Sequence, residues 1–129
     1  MSHLSTAKTE LRDEAALRKA CAELGCKLVD GKQFRARGYS GQQPASELVI
    51  QCPGASYDIA VNKQQDGTYA LTTDWFCGSV AKVVGDNFDK LTQCYAGQLI
   101  EAEAEERGYF VEREWVKDEL KLHITGGQL

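Results

Sequence analysis

Asp58 and Asp74 are the carboxylates whose spacing first invites a chemical reading. They flank a turn at Asp66-Gly67, inside a run where Tyr57, Ile59 and Val61, then Tyr69, Leu71, Thr73 and Trp75, alternate with smaller or polar residues. A two-residue loop would put these apolar sets on opposite faces. A three-residue loop over 65–67, with Gly67 left-handed, pairs 61 with 71 and 57 with 75 and keeps the apolar face continuous. That register sets Asp58 opposite Asp74 on the other face, where like charges destabilise a sheet. Water, or a salt bridge from Arg35 or Arg37, would relieve the repulsion. On that reading, Asn at both positions raises stability. The sharper reading is an acidic pair facing a partner or a divalent cation, although two carboxylates fall short of the six or more oxygens of a calcium site.

Arg35, Arg37 and Tyr39 alternate on one side of a segment, an arrangement suited to carboxylate, phosphate or peptide recognition and equally to the solvent face of an edge strand. Cys77, before Gly78-Ser79, has the most reactive-looking context of five thiols. Its base would have to be His3 or His123, which no local motif places nearby. His3 belongs to a mobile tail on the simplest reading, and Trp75 and Tyr95 to the core. The cysteines at 21, 26, 52, 77 and 94 contain no CxxC pair, and zinc would need ligands from scattered positions. No GxSxG, HExxH or P-loop pattern occurs, so no metal or cofactor is expected.

The elements that position these residues follow from periodicity. Asp13 can cap a helix whose stripe is Leu17, Ala20, Cys21 and Leu24, and Gly25 ends it. Residues 26–30 and 34–39 read as short strands about Asp30-Gly31, and 47–52 as a third strand stopped by Pro53-Gly54. Residues 76–85 read as a loop or short irregular piece. A second helix starts near Asp86-Asn87, either of which can cap it, with a stripe of Phe88, Leu91, Tyr95, Leu99 and Ala102, and ends before Gly108. Strands near 110–116 and 120–125 follow. Each helix precedes a strand pair, which suggests an α-β-β pseudo-repeat.

Composition bounds the rest. The chain is 14.2 kDa, 43% hydrophobic and 26% charged, which is one domain over 1–129 with 1–8 and 126–129 expected to be flexible. No apolar run could span a bilayer, and the polar start lacks the apolar stretch of a signal peptide. An odd number of cysteines without a leader points to free thiols in a reducing compartment. The net charge of −4 is uneven. Residues 1–39 hold eight Lys/Arg against five Asp/Glu, whereas 98–120 hold three against eight. The acidic balance argues against nucleic-acid binding.

Several short segments, in order and spacing, resemble the hypothetical chloroplast reading frame 35 family, also catalogued as domain of unknown function 1257. They are Met1-Ser2-His3 with Ser5, Thr6, Lys8 and Thr9, then Leu11 and Asp13. Next come Arg37-Gly38-Tyr39 with Gly41, Leu48-Val49-Ile50 and Tyr57-Asp58-Ile59. Asp66-Gly67-x-Tyr69, Asp74 and Gln93-x-Tyr95-Ala96 complete the match. The chain departs from the family's usual pattern at Leu4, at Ala60-Val61 and in the loosely similar Trp75-Phe76-Cys77-Gly78. The resemblance implies a small soluble protein of plastids, cyanobacteria and other bacteria, without assigned catalytic residues, and in bacteria often encoded near an AAA-type ATPase.

The expected fold is α+β: a two-layer sandwich with two helices on one face of a mainly antiparallel sheet of six or seven strands, its other face open. The expected function is that of a cytoplasmic accessory or adaptor protein, stromal if plastid-encoded, binding a protein partner through the open face and the acidic second helix. Candidate binding residues are His3, Arg35, Arg37, Tyr39, Asp58, Asp74, Trp75, Cys77 and Tyr95. An enzyme using Cys77 or Asp58/Asp74, and a nucleic-acid module using Lys32, Arg35 and Arg37, are the alternatives. No membrane partner is expected.

Overall fold

The structure, a computed structural model, describes residues 4–39 and 41–126. The central sheet is antiparallel and five-stranded, in the order β1 (Leu4–Lys8), β7 (Tyr69–Asp74), β6 (Ile59–Lys63), β5 (Leu48–Gln51), β2 (Lys27–Asp30). The hairpin has the expected register: Val61 lies opposite Leu71, and Gly67 is left-handed with φ of 88° in the loop. Strand parity then sorts the side chains. Leu28, Ile50, Ile59, Val61, Tyr69 and Leu71 face the main core.

Helix α1 (Glu14–Glu23) covers that face with Ala16, Leu17, Ala20 and Cys21. Asp13 caps it by accepting from Ala16 N at 3.0 Å, and Gly25 follows with φ of 76°. Helix α3 (Asp89–Glu106) packs beside α1, with Leu91, Cys94 and Tyr95 buried. The Tyr95 hydroxyl accepts from Arg12 N at 3.1 Å and Asp13 N at 2.8 Å, so it holds the chain entering α1. Tyr95→Phe leaves both donors without that acceptor. It should cost about 1–2 kcal/mol in denaturant unfolding with the far-UV spectrum unchanged.

The sandwich is as expected, but several local expectations are corrected. Residues 4–8 form an edge strand paired to β7 rather than a mobile tail. Residues 26–30 and 34–39 do not pair with each other: β2 pairs with β5, and a two-residue ladder joins β3 (Arg37–Gly38) to β4 (Gly41–Gln42). Residues 76–85 contain a 3₁₀ turn and a short helix, α2 (Ser79–Val84), because Val80 and Val84 reach the core. Neither Asp86 nor Asn87 caps α3; a 3₁₀ turn over 86–88 leads into it, with Phe88 buried at φ of 63°. Strands β8 (Phe110–Val116) and β9 (Glu119–Thr125) form a separate two-stranded ribbon. The ribbon lies along α3, from Gln93 beside Leu120 to Ala104 near Ile124, and Leu120 and Arg113 close on Gly97 at its middle. The buried face of α3 therefore turns toward Gly97 and Ala104, and Leu99 and Ala102 are exposed instead of continuing the stripe.

The other face of the sheet is only partly open: the flank around Thr6 and Thr72 is exposed, and its middle is covered. An arm over residues 34–39 and 41–43 folds onto that middle part and buries Ala36 with Val49 and Ala60. Gly31 lets the arm start: a Cβ there would lie 1.9 Å from the Ser46 carbonyl oxygen.

Candidate functional site

Asp58 and Asp74 lie toward the arm's face, as strand parity required, but the two residues are only 4% and 0% exposed rather than facing solvent. Nor do they form a ladder pair. The β6–β7 ladder ends at Ile59 and Thr73, and Asp74 is opposite Leu4 of β1. Asp58 leaves the strand to bind the arm. Its Oδ2 accepts from Arg37 N at 2.9 Å and Arg37 Nε at 3.0 Å; its Oδ1 accepts from Arg37 Nη2 and Cys52 N, both at 2.9 Å. Arg37 Nη2 also donates to the carbonyls of Cys52 and Ala55 at 2.8 and 3.0 Å. Gln43 Nε2 donates to the carbonyls of Arg37 and Asp58, and Thr73 Oγ1 donates to the latter.

Burial alone would raise the Asp58 pKa. The Arg37 guanidinium and the two backbone N–H donors outweigh it and hold the carboxyl below the usual range, while the same contact raises Arg37. The salt bridge to Arg37 offered above as relief for the aspartates is present, but its role is to fasten the arm to the sheet. The expected gain in stability from Asn at 58 is accordingly reversed.

Other candidates gather at the same end. Asp74 Oδ1 accepts from Phe76 N at 2.9 Å, setting the turn over 76–78, where Cys77 and Gly78 are both left-handed at φ of 70° and 72°. Phe76 meets Tyr39 edge-on, with ring centroids 5.2 Å apart, and Trp75 packs on Phe88 at 4.8 Å. Tyr57 lies close enough for burial, Asp74, Cys77 and Tyr39 to raise its phenol pKa. So residues 37–39, 57–58 and 74–77, far apart in sequence, share one corner of the sheet. Arg35 lies beside it in a cleft of about 430 Å³ with Gln33, Phe34, Gln51 and Pro53. His3 falls outside the described residues. Tyr95 belongs elsewhere, at the α1 entry. Cys77 is exposed, but His123 is on β9, sharing a hydrogen bond with Glu114 at 2.8 Å. Among the described residues, no group of three or more His, Cys, Asp or Glu could hold a metal ion, and no helix is long and apolar enough to cross a membrane.

The chemistry-bearing groups of this corner thus spend their hydrogen bonds on the fold. Most of the large apolar side chains that the fold leaves exposed lie at the opposite end of the chain. Of the ten exposed large hydrophobic residues in the described chain, six are Leu99, Ile100, Phe110, Trp115, Val116 and Ile124, on α3 and the ribbon. Ile100 and Ile124 line a groove of about 220 Å³ with Ala104, Tyr109, Glu103 and Arg107. Arg113 holds the ribbon down, with Nε 2.8 Å from Glu101 and Nη1 against Glu23. The adjacent Leu99-Ile100 pair, in an otherwise acidic helix segment, is the sequence signal for this surface; the stripe placed Leu99 in the core and left Ile100 out.

A model of the family described as "Protein of unknown function (DUF1257)" matches residues 20–125. An "Uncharacterized protein ycf35" from Cyanophora paradoxa is 31% identical over 119 residues, spanning 92% of this chain and 91% of the relative. No solved structure matches.

Proposed function

We propose, for a chain that belongs to the DUF1257 family, an accessory or adaptor role exercised by binding another protein on the α3–ribbon surface. One observation carries the reading: the exposed Ile100 and Ile124 meet in one groove between α3 and the ribbon face that also carries Trp115, beside a segment of strongly acidic balance. Scattered exposed hydrophobics need no explanation, but a group rimmed by charge suits a partner. The occupant that fits is a protein segment with an apolar side chain for the Ile100–Ile124 groove and basic residues for the glutamates around it. An AAA-type ATPase is the first partner to test, in a plastid stroma or bacterial cytoplasm, a setting that five unbridged thiols fit.

The experiment places a photo-cross-linker at 100 or 124 in the full-length chain in cells. Both positions should capture one and the same protein, and Ile124→Glu should abolish capture through position 100 while shifting unfolding by no more than about 0.5 kcal/mol. Capture that survives Ile124→Glu, or different proteins at the two positions, would overturn the reading. Capture of a nuclease-sensitive species would favour the nucleic-acid alternative instead.

A further inference from the structure

The register that pairs Lys27 with Gln51 and Leu28 with Ile50 sets Cys26 opposite Cys52, one step along the same antiparallel ladder. Both side chains join the core beneath α1. Their sulfurs are 3.7 Å apart and share a hydrogen bond, with both thiols free. Cross-strand cysteines in register are among the few pairs that can close to the roughly 2.0 Å of a disulfide without large backbone movement. The two are not equivalent. Cys26 lies at the end of an edge strand and is 8% exposed, whereas Cys52 is fully buried.

We propose that Cys26 and Cys52 form a thiol–disulfide exchange site that takes a small disulfide, of the glutathione class, as its oxidant. Cys26 attacks one sulfur of that disulfide as its thiolate, forming a mixed disulfide and releasing one small thiolate. The Cys52 thiol then attacks the Cys26 sulfur, its proton passing to the second small thiolate as that thiolate leaves. The protein's two thiols are oxidised to one disulfide and the small disulfide is reduced to two thiols. The order of attack follows access: Cys26 is the partly exposed thiol, whereas Cys52 is fully buried and burial raises its pKa. Cys21 and Cys94 are set apart from this chemistry, because they lie on α1 and α3 and not opposite a cysteine in the β2–β5 register.

The site has a built-in readout in the fold. Cys52 N donates to Asp58 and Cys52 O accepts from Arg37, so the bridge would form within the node that fastens the arm. It would also tie positions 26 residues apart in the chain, which constrains the unfolded state. Oxidised protein should therefore unfold at higher denaturant than reduced protein.

The test uses the folded wild-type chain in glutathione buffers of graded oxidised-to-reduced ratio, followed by acid quench, alkylation and peptide mapping. A linked Cys26–Cys52 peptide should accumulate with oxidising ratio and vanish on reduction. Cys52→Ser should trap glutathione on Cys26, and Cys26→Ser should yield neither species. If Cys52→Ser fails to fold, the wild-type map alone decides. Two alkylatable thiols at 26 and 52 in the most oxidising buffer, or modification confined to Cys77, would overturn the proposal.

Discussion

Asp58→Ala should lower the unfolding free energy by about 3 kcal/mol, measured by urea denaturation near neutral pH. The carboxylate is buried and serves four donor contacts, two of them backbone N–H groups of Arg37 and Cys52. Truncation leaves those donors without acceptors, and the arm loses its main attachment. The estimate stays at the lower end for a broken buried pair because the Arg37 side chain is 46% exposed and water can replace part of its loss. The pH dependence distinguishes this account from a simple loss of packing. The folded-state pKa of Asp58 is depressed, so its contribution is complete above the unfolded value of about 3.9 and disappears as pH falls through the lower folded value. The difference between wild type and Asp58→Asn should therefore shrink as the solution is acidified below that range. A difference that stays constant down to the acid transition would show that charge at this position does not matter.

Gly31→Ala should be at least as damaging, about 3 kcal/mol or more, for a reason with no charge in it. The added methyl would stand 1.9 Å from Ser46 O and 2.7 Å from Ser46 C, and backbone cannot yield as a side-chain tip can. Gly31 N also donates to Glu47 O at 2.9 Å, so moving away costs that bond. Gly54→Ala is the control, since nothing lies within 4 Å of the new methyl, and it should change stability by less than about 0.5 kcal/mol. Equal effects at the two positions would mean that the close approach of 31 to 46 is not a constraint on the native state.

The contrast between these residues marks what the sequence could convey. Asp13, Gly25 and the 65–67 loop were legible because a cap, a left-handed helix stop and a hairpin register are decided within a few residues of chain. Parity along β6 and β7 likewise put Asp58 and Asp74 on the correct face. Whether those carboxylates would be wet was a different question, settled by the arm, whose attachment depends on Arg37 and Gln43 reaching a carboxylate and carbonyls distant in sequence. The ribbon was legible as two strands and illegible as a separate layer, because periodicity says which side of a strand is apolar and not which body that side meets. Leu99 shows the consequence: it continues an apolar stripe in sequence, but the later buried positions of α3, Gly97 and Ala104, face the ribbon and Leu99 is left exposed.

The pairing of β1 with β7 fixes an order of events while the chain is being made. Thr6 and Thr72, whose hydroxyls meet at 2.7 Å, are separated by 66 residues. At synthesis rates of about 5–20 residues per second, the first strand waits roughly 3–13 s before its partner exists. The β6–β7 hairpin has no such delay and can form as soon as both strands emerge. Until the waiting segment docks, β7 presents a bare edge of backbone donors and acceptors, the kind of edge that recruits other chains. The first strand synthesised is thus the last needed to seal that side of the sheet.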